Sequence, residues 1–205
     1  MATEQLQTEE LIKETARRLF FQKGHIHATT QEIADEAGVN RALIHYYFRS
    51  RDLLFEKVLQ ETMKSRTDKI DSIFSTNDSL RIKIARFIDV FIDDHIDLPY
   101  LENFLITEMT KSQDPMKNFH LAEERKVKIK EIINRQIQEE VARGLIAPIT
   151  IEHFMLNLMS LCNYPLLAKP IMQTIFGMDE ATYRNFLKER KKVVYRAIFN
   201  EDLPE

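Results

Sequence analysis

Only four glycines occur in 205 residues, and no proline precedes Pro99. Sheets need Gly and Pro at their tight turns, so a chain this poor in both has few ways to build one. Gly24, Gly38, Gly144 and Gly177 each follow a segment with helical spacing of apolar residues, where a left-handed C-cap belongs. The expectation is an all-α chain. Hydrophobic residues make 44% and charged residues 30%, which excludes a disordered tail and a membrane protein. The uncharged stretch Phe154 to Ala168 is too short to cross a bilayer and carries Asn157, Asn163 and Pro165. The N-terminus is acidic where a secretory signal would be basic, and a single cysteine, Cys162, excludes an internal disulfide or a multi-Cys zinc site. A soluble cytoplasmic protein without a membrane partner is expected.

Periodicity predicts about nine helices. The first carries Ile12, Ala16, Leu19 and Phe20 and ends at Gly24. Thr29-Thr30-Gln31-Glu32 has the pattern of a capping box, followed by a short helix with Ile33, Ala34 and Ala37 inward and Gly38 as its stop. Asn40 caps a third helix with Ile44, Tyr47 and Phe48 in the core, and a fourth runs from Arg51 toward Phe74. Further helices are expected from Leu80 to His95, from Pro99 to Met109, from Pro115 to Arg143, from Ile151 to Leu167 and from Glu180 to Phe199.

Residues 29 to 47 therefore make a short capped helix, a tight turn containing Gly38, and a second short helix. That is the helix-turn-helix layout, whose second helix enters the major groove of DNA. Ile33, Val39 and Ile44 lock the pair, leaving Arg41, Ala42, Leu43, His45 and Tyr46 toward the outside. Arg41, Arg49 and Arg51 give a local positive edge for phosphates, with no acid among them until Asp52. An ordinary helical hairpin would share the layout.

The run from Thr29 to Leu54, with Leu19-Phe20-Phe21-Gln22-Lys23-Gly24 before it, resembles the DNA-binding signature of TetR-type transcriptional regulators over about residues 10 to 60. The resemblance implies a helix-turn-helix DNA-binding domain over residues 1–52 and a larger helical ligand-binding and dimerisation domain over 53–205. It further implies a homodimer that binds a palindromic double-stranded DNA operator, acts as a repressor, and is released by a small-molecule effector. Carried over by position, Gln31 and Arg41 match readers of base edges, and Ala42 and Leu43 match positions that touch bases or thymine methyls. Thr30, Tyr47 and Arg51 match phosphate holders, with Thr29, Asn40 and Tyr46 in the same interface. His45 stands where a tyrosine is usual and His25 where an aromatic is usual, so the operator is the chain's own. The segment up to Arg51 has as many acids as bases, so non-specific DNA affinity is expected to be weak.

Under the same resemblance, a largely apolar effector is expected among Phe87, Phe91, Tyr100, Phe104, Met109, Phe119 and His120. Apolar residues on more than one face of the helix after Ile151, and those of the last helix, predict a homodimer interface through Met155, Leu158, Met159, Cys162, Phe186, Val194 and Ile198. Lys188, Arg190, Lys191, Lys192 and Arg196 read as a solvated basic face.

Catalysis has little support. There is no Gly-rich phosphate loop and no nucleophile elbow, and Cys162 lies on an apolar stripe as a buried thiol would. Asp89, Asp93, His95 and Asp97 read as a solvated acidic helix end rather than a metal site, and no cofactor is expected. An enzyme is not expected; the alternatives left open are a small all-helical enzyme and a lipid- or partner-binding module with an apolar pocket.

Overall fold

The computed structural model describes residues 2–111 and 123–204. Among them are ten α-helices and no strand: α1 (Ala2–Arg17), α2 (Thr30–Ala37), α3 (Arg41–Phe48), α4 (Arg51–Phe74), α5 (Leu80–Asp97), α6 (Leu101–Lys111), α7 (Glu123–Ala142), α8 (Ile151–Leu167), α9 (Lys169–Phe176) and α10 (Glu180–Phe199). Helix α9 was not foreseen from the sequence. It starts with Pro170 in its first turn and ends on Gly177 in the left-handed conformation, the usual pair of start and stop signals. The expected start of α7 at Pro115 lies outside the described residues.

The helices form two compact units. The first holds residues up to 65 and, from residue 97, helix α6; the second holds residues 66–96 and the described chain from α7 onward. The expected division after residue 52 falls instead within the first turn of α4. The reason is packing: Leu54, Phe55, Val58, Leu59 and Met63 complete the core of the first unit, joined by Leu98, Leu101 and Leu105.

In that core, α1 passes into a π-helical turn, Arg18–Gln22. Leu19, Phe20 and Phe21 are consecutive and all buried, which a helix advancing about 100° per residue cannot arrange on one narrow face. The wider turn lets all three point inward. Phe20 meets Phe55 edge-on at 5.0 Å, and Phe104 meets Phe55 at 5.1 Å. Ile12, Ala16, Ile33, Ala34, Ile44 and Phe48 fill the rest, as the periodicity predicted.

The second unit is built on α5, whose Ile84, Phe87, Ile88, Phe91 and Ile92 are buried against Ile133 and Ile137 of α7, Phe154 and Leu158 of α8, and Leu187 and Val194 of α10. Pro165 sits inside α8 and cannot donate to the carbonyl of Leu161. Arg190 of α10 supplies the missing donors, with Nε and Nη2 each 3.4 Å from that oxygen, and the hydroxyl of Tyr183 donates to the carbonyl of Pro165 at 2.5 Å. Arg190 thus replaces the donor that Pro165 lacks, while Tyr183 satisfies a carbonyl in the last turn of α8. Lys191 bridges Asp89 and Asp93 of α5, and Arg196 pairs with Asp202. The basic face of α10 is therefore only partly solvated: Lys188 and Lys192 remain exposed, while Arg190, Lys191 and Arg196 are engaged.

Gly24 and Gly144 both hold positive φ, +75° and +69°. A Cβ on Gly24 would lie 2.8 Å from the ring of Tyr100, whereas nothing comes within 4 Å of one on Gly144. Left-handed backbone costs an L-residue about 1–2 kcal/mol, and forcing a contact costs about 1–3 kcal/mol more. Gly24→Ala should therefore lower stability clearly more than Gly144→Ala in chemical denaturation. Adding Tyr100→Ala should return part of the excess; equal losses for the two glycines would contradict the close approach.

Candidate nucleic-acid interface

The surface around α2 and α3 is built by local capping. The Thr29 hydroxyl accepts from the backbone N–H of Glu32 at 3.2 Å, while the Glu32 carboxylate accepts from the Thr29 backbone N–H at 2.7 Å. The bond from the Thr29 backbone, and after it one that the Thr29 hydroxyl donates to the same carboxylate at 2.8 Å, hold the Glu32 carboxyl below its ordinary range. Gly38 then turns the chain at φ +67°, and the Asn40 side chain accepts from the N–H of Ala42 at 2.8 Å to start α3. Ile33 and Ile44 are fully buried and Val39 packs on them from the turn, so the angle between the two helices is set from within.

What α3 leaves outside is a row of Arg41, Ala42, His45 and Tyr46, all exposed, with Tyr46 69% exposed and edge-on to Tyr47 at 5.1 Å. The Arg41 Nε donates to the Thr30 hydroxyl at 3.1 Å, bringing the starts of α2 and α3 side by side. Gln31 is exposed with its amide held by Asp35 at 2.7 Å. Leu43 and Tyr47 are half-buried against the core, so they support the helix with one side and offer the other outward. Thr29, Thr30 and Asn40 lie at the helix starts, where capping already uses part of their hydrogen-bonding capacity.

Arg51 is held from several sides. Its guanidinium is not an outward arm: it lies over the rings of Phe20 and Phe55, at 5.1 and 4.9 Å, and its Nε donates to the carbonyl of Ala28 at 3.3 Å. Its Nη2 is buried. Arg51 thus fixes the loop that delivers Thr29, while its Nη1 reaches Asp52 at 3.3 Å at the surface. Sequence reasoning also missed the corner before it. Arg49 has φ +65° and ψ −42°, and the N–H of Ser50 bonds the Phe48 carbonyl at 2.7 Å, a γ-turn that an L-residue adopts under strain. Ser50 caps α4 through its hydroxyl to the N–H of Leu53 at 3.2 Å.

The other expected sites are redistributed. Phe87 and Phe91 are 3% and 2% exposed, in a file of rings from Phe74 through Phe87 and Phe91 to His95 inside the second unit. Tyr100 and Phe104 belong to the first unit, the former against Gly24 and the latter against Phe21 and Phe55. The structure does not gather these four into one unit. Met109 lies in α6, and Phe119 and His120 lie outside the described residues. Of the expected dimer residues, Leu158, Cys162 and Val194 are at most 1% exposed within the chain's own core and cannot face a partner; burial also pushes the Cys162 thiol up to about 12. Met155, Met159, Phe186 and Ile198 are half-buried on the same core. The acidic end of α5 is not simply solvated: His95 is buried, and Asp93 and Asp94 pair with Lys191 and Lys69. No group of metal-ligating side chains occurs among the described residues. No helix there is long and apolar enough to cross a membrane.

With its guanidinium stacked inside, Arg51→Ala should lower stability by about 1–3 kcal/mol, from a lost cation–π stack and a lost charged hydrogen bond. It should leave the salt dependence of DNA binding unchanged. A lower salt slope with unchanged melting temperature would restore it to the phosphate contacts.

Comparison with known proteins agrees with this geometry. A family model described as bacterial regulatory proteins of the tetR family matches residues 12–58, and one described as a tetracyclin repressor-like C-terminal domain matches residues 74–201. YttP of Bacillus subtilis, named as a probable HTH-type transcriptional regulator, is 26% identical over 197 residues, covering 94% of each chain. The HTH-type transcriptional regulator BetI of Brucella anthropi is 32% identical over 87 residues, 42% of this chain and 44% of its own. A TetR transcription regulator from Haloarcula marismortui shares the fold with a TM-score of 0.63 at 16% identity, over 97% of this chain and 99% of its own. The family and these relatives are regulators of transcription rather than enzymes. A helix-turn-helix of this construction, followed by a second helical unit that the C-terminal family model spans, places the chain in the TetR family of transcriptional regulators.

Proposed function

We propose that the protein is a ligand-responsive repressor that binds a palindromic DNA operator as a homodimer and is released by a small, largely apolar molecule. The observation that carries the DNA-binding part is the exposed row Arg41, Ala42, His45 and Tyr46 on a helix whose opposite face, Ile44 and Phe48, is locked in the core. A tyrosine left 69% exposed beside an arginine on a rigid short helix suits base edges and thymine methyls in a major groove. Gln31, Thr29, Thr30 and Asn40 flank that row, and Leu43 and Tyr47 support it.

Two such helices must sit one turn of B-DNA apart, roughly 34–36 Å, which a two-fold dimer supplies. The face that supports self-association is not the one expected from periodicity alone. On α8, Leu156 and Tyr164 are each 62% exposed, and on α10, Val193 is 51% exposed. Met155 and Met159 lie partly open on α8. Apolar side chains in water along α8 and α10 favour a four-helix bundle between two copies.

Support for an apolar effector comes from the aromatic file Phe74, Phe87, Phe91 and His95 in the second unit. A ligand that parts those rings would act on the DNA unit through its preference for one of two states. A hundredfold loss of operator affinity needs about 2.7 kcal/mol of differential binding, and operator DNA must then weaken the ligand equally.

Mobility shift with duplexes from beside the protein's own gene tests the reading: a retarded complex is expected, and none at low salt would refute it. Arg41→Ala should cost about 1–3 kcal/mol on the operator and relax preference at one base pair. Light scattering tests the interface. Leu156→Arg with Val193→Arg should give a folded monomer, whereas Leu158→Arg or Val194→Arg should unfold the chain; a full dimer from the first pair would refute this face.

A further inference from the structure

We infer, on the DNA-binding reading above, that Thr30 and Asp35 are positioning residues that set which base edges the surface selects. Thr30 commits Arg41 to guanine, and Asp35 commits Gln31 to adenine or cytosine. Both act through bonds between side chains on that surface. The Arg41 Nε donates to the Thr30 hydroxyl at 3.1 Å, and the Gln31 Nε2 donates to the Asp35 carboxylate at 2.7 Å. Thr30 and Gln31 are neighbours in the first turn of α2, so the two readers stand at the same end of the motif.

Each bond removes options from a side chain that otherwise has several. A free arginine has wide rotamer freedom and suits phosphates and bases alike. With its Nε held on Thr30, Arg41 offers the terminal Nη1 and Nη2 groups, which donate and cannot accept. In the major groove the edge that takes a paired donor is guanine, through O6 and N7. The Thr30 hydroxyl accepts from Arg41, which leaves its own proton to donate to a phosphate oxygen. One hydroxyl thus joins a backbone contact to a base contact.

Gln31 alone is ambiguous, because an amide donates from one end and accepts at the other. Asp35 removes the ambiguity. An ionised carboxylate only accepts, so the amide turns its NH2 toward Asp35 and its Oε1 away. Both residues are exposed, one turn apart on a helix held from behind by buried Ile33 and Ala34. An outward acceptor finds a major-groove donor at adenine N6 or cytosine N4, whereas the guanine and thymine edges present only acceptors for hydrogen bonding.

Selection of duplexes from a random pool, by the wild-type chain and then by variants, tests this. Arg41→Ala and Gln31→Ala identify the position that each side chain reads, as the one whose preference each variant loses. Guanine is expected at the first position, and adenine or cytosine over guanine and thymine at the second. Thr30→Val keeps the shape without the hydroxyl and should lower the guanine preference at the Arg41 position about fivefold. Thr30→Ser should retain it. Asp35→Asn keeps the size but accepts or donates, so it should lower the preference at the Gln31 position about twofold to threefold and leave the Arg41 position unchanged. A merely structural role for either residue would weaken all sequences alike. Guanine or thymine selected at the Gln31 position, or an unchanged preference in Thr30→Val or in Asp35→Asn, would overturn the inference and leave the DNA-binding reading standing. So would Arg41→Ala or Gln31→Ala that altered no position. A wild-type chain that enriched no sequence would overturn both.

Discussion

Arg51 ties together three pieces of chain that meet in the core of the first unit. Its guanidinium lies over the rings of Phe20, from the π-helical turn, and Phe55, from the second turn of α4, while its Nε holds the carbonyl of Ala28. Ala28 is the residue before the Thr29 cap, so the start of α2 is anchored by the same side chain that anchors the start of α4. A short helix of eight residues has little stability of its own. Both α2 and α3 are of that length, and they persist because their caps are made and their inner faces are buried. The outward row of α3 is rigid to the extent that this anchoring holds from behind.

Much of this was legible in residue order. Helix caps are short and local, so the Thr29–Glu32 box and the Asn40 cap could be read before any tertiary contact was known, and Gly38 announced the turn between them. The inner stripe of each helix followed from periodicity, down to Ile33, Ile44 and Phe87. Arg51 was harder. A basic residue at a helix start beside a DNA-binding motif reads as a phosphate contact, and only three-dimensional proximity of Phe20 and Phe55 reveals that two aromatic faces compete for it. Arg49 was invisible for a related reason. A left-handed non-glycine is dictated by the geometry of the α3–α4 corner, and nothing in its side chain signals it.

The dimer residues show a different limit. Periodicity identifies an apolar face but not what covers it. Leu158, Cys162 and Val194 lie on the richest stripes of α8 and α10, and those stripes are consumed by the chain's own core around α5. Surplus apolar residues, Leu156, Tyr164 and Val193, are what remains for a partner. The same reasoning separates Phe87 and Phe91 from Tyr100 and Phe104: all four are large and aromatic, but two different cores claim them. Arg190 sits in a basic run whose spacing alone suggests a solvated face, yet Pro165 leaves a carbonyl without a donor, and a long cationic side chain on the neighbouring helix is a good substitute.

The central claim is that α3, with the caps that start it and α2, is the surface that meets DNA. Backbone amide resonances of the whole chain, followed during titration with a duplex that the protein retards in mobility shift, test it most directly. The account predicts that the largest shifts fall on Thr29 to Gln31 and on Arg41, Ala42, His45 and Tyr46, with Ile44 and Phe48 moving less. Shifts concentrated instead on the exposed basic residues of α10, Lys188 and Lys192, with α3 unmoved, would contradict it.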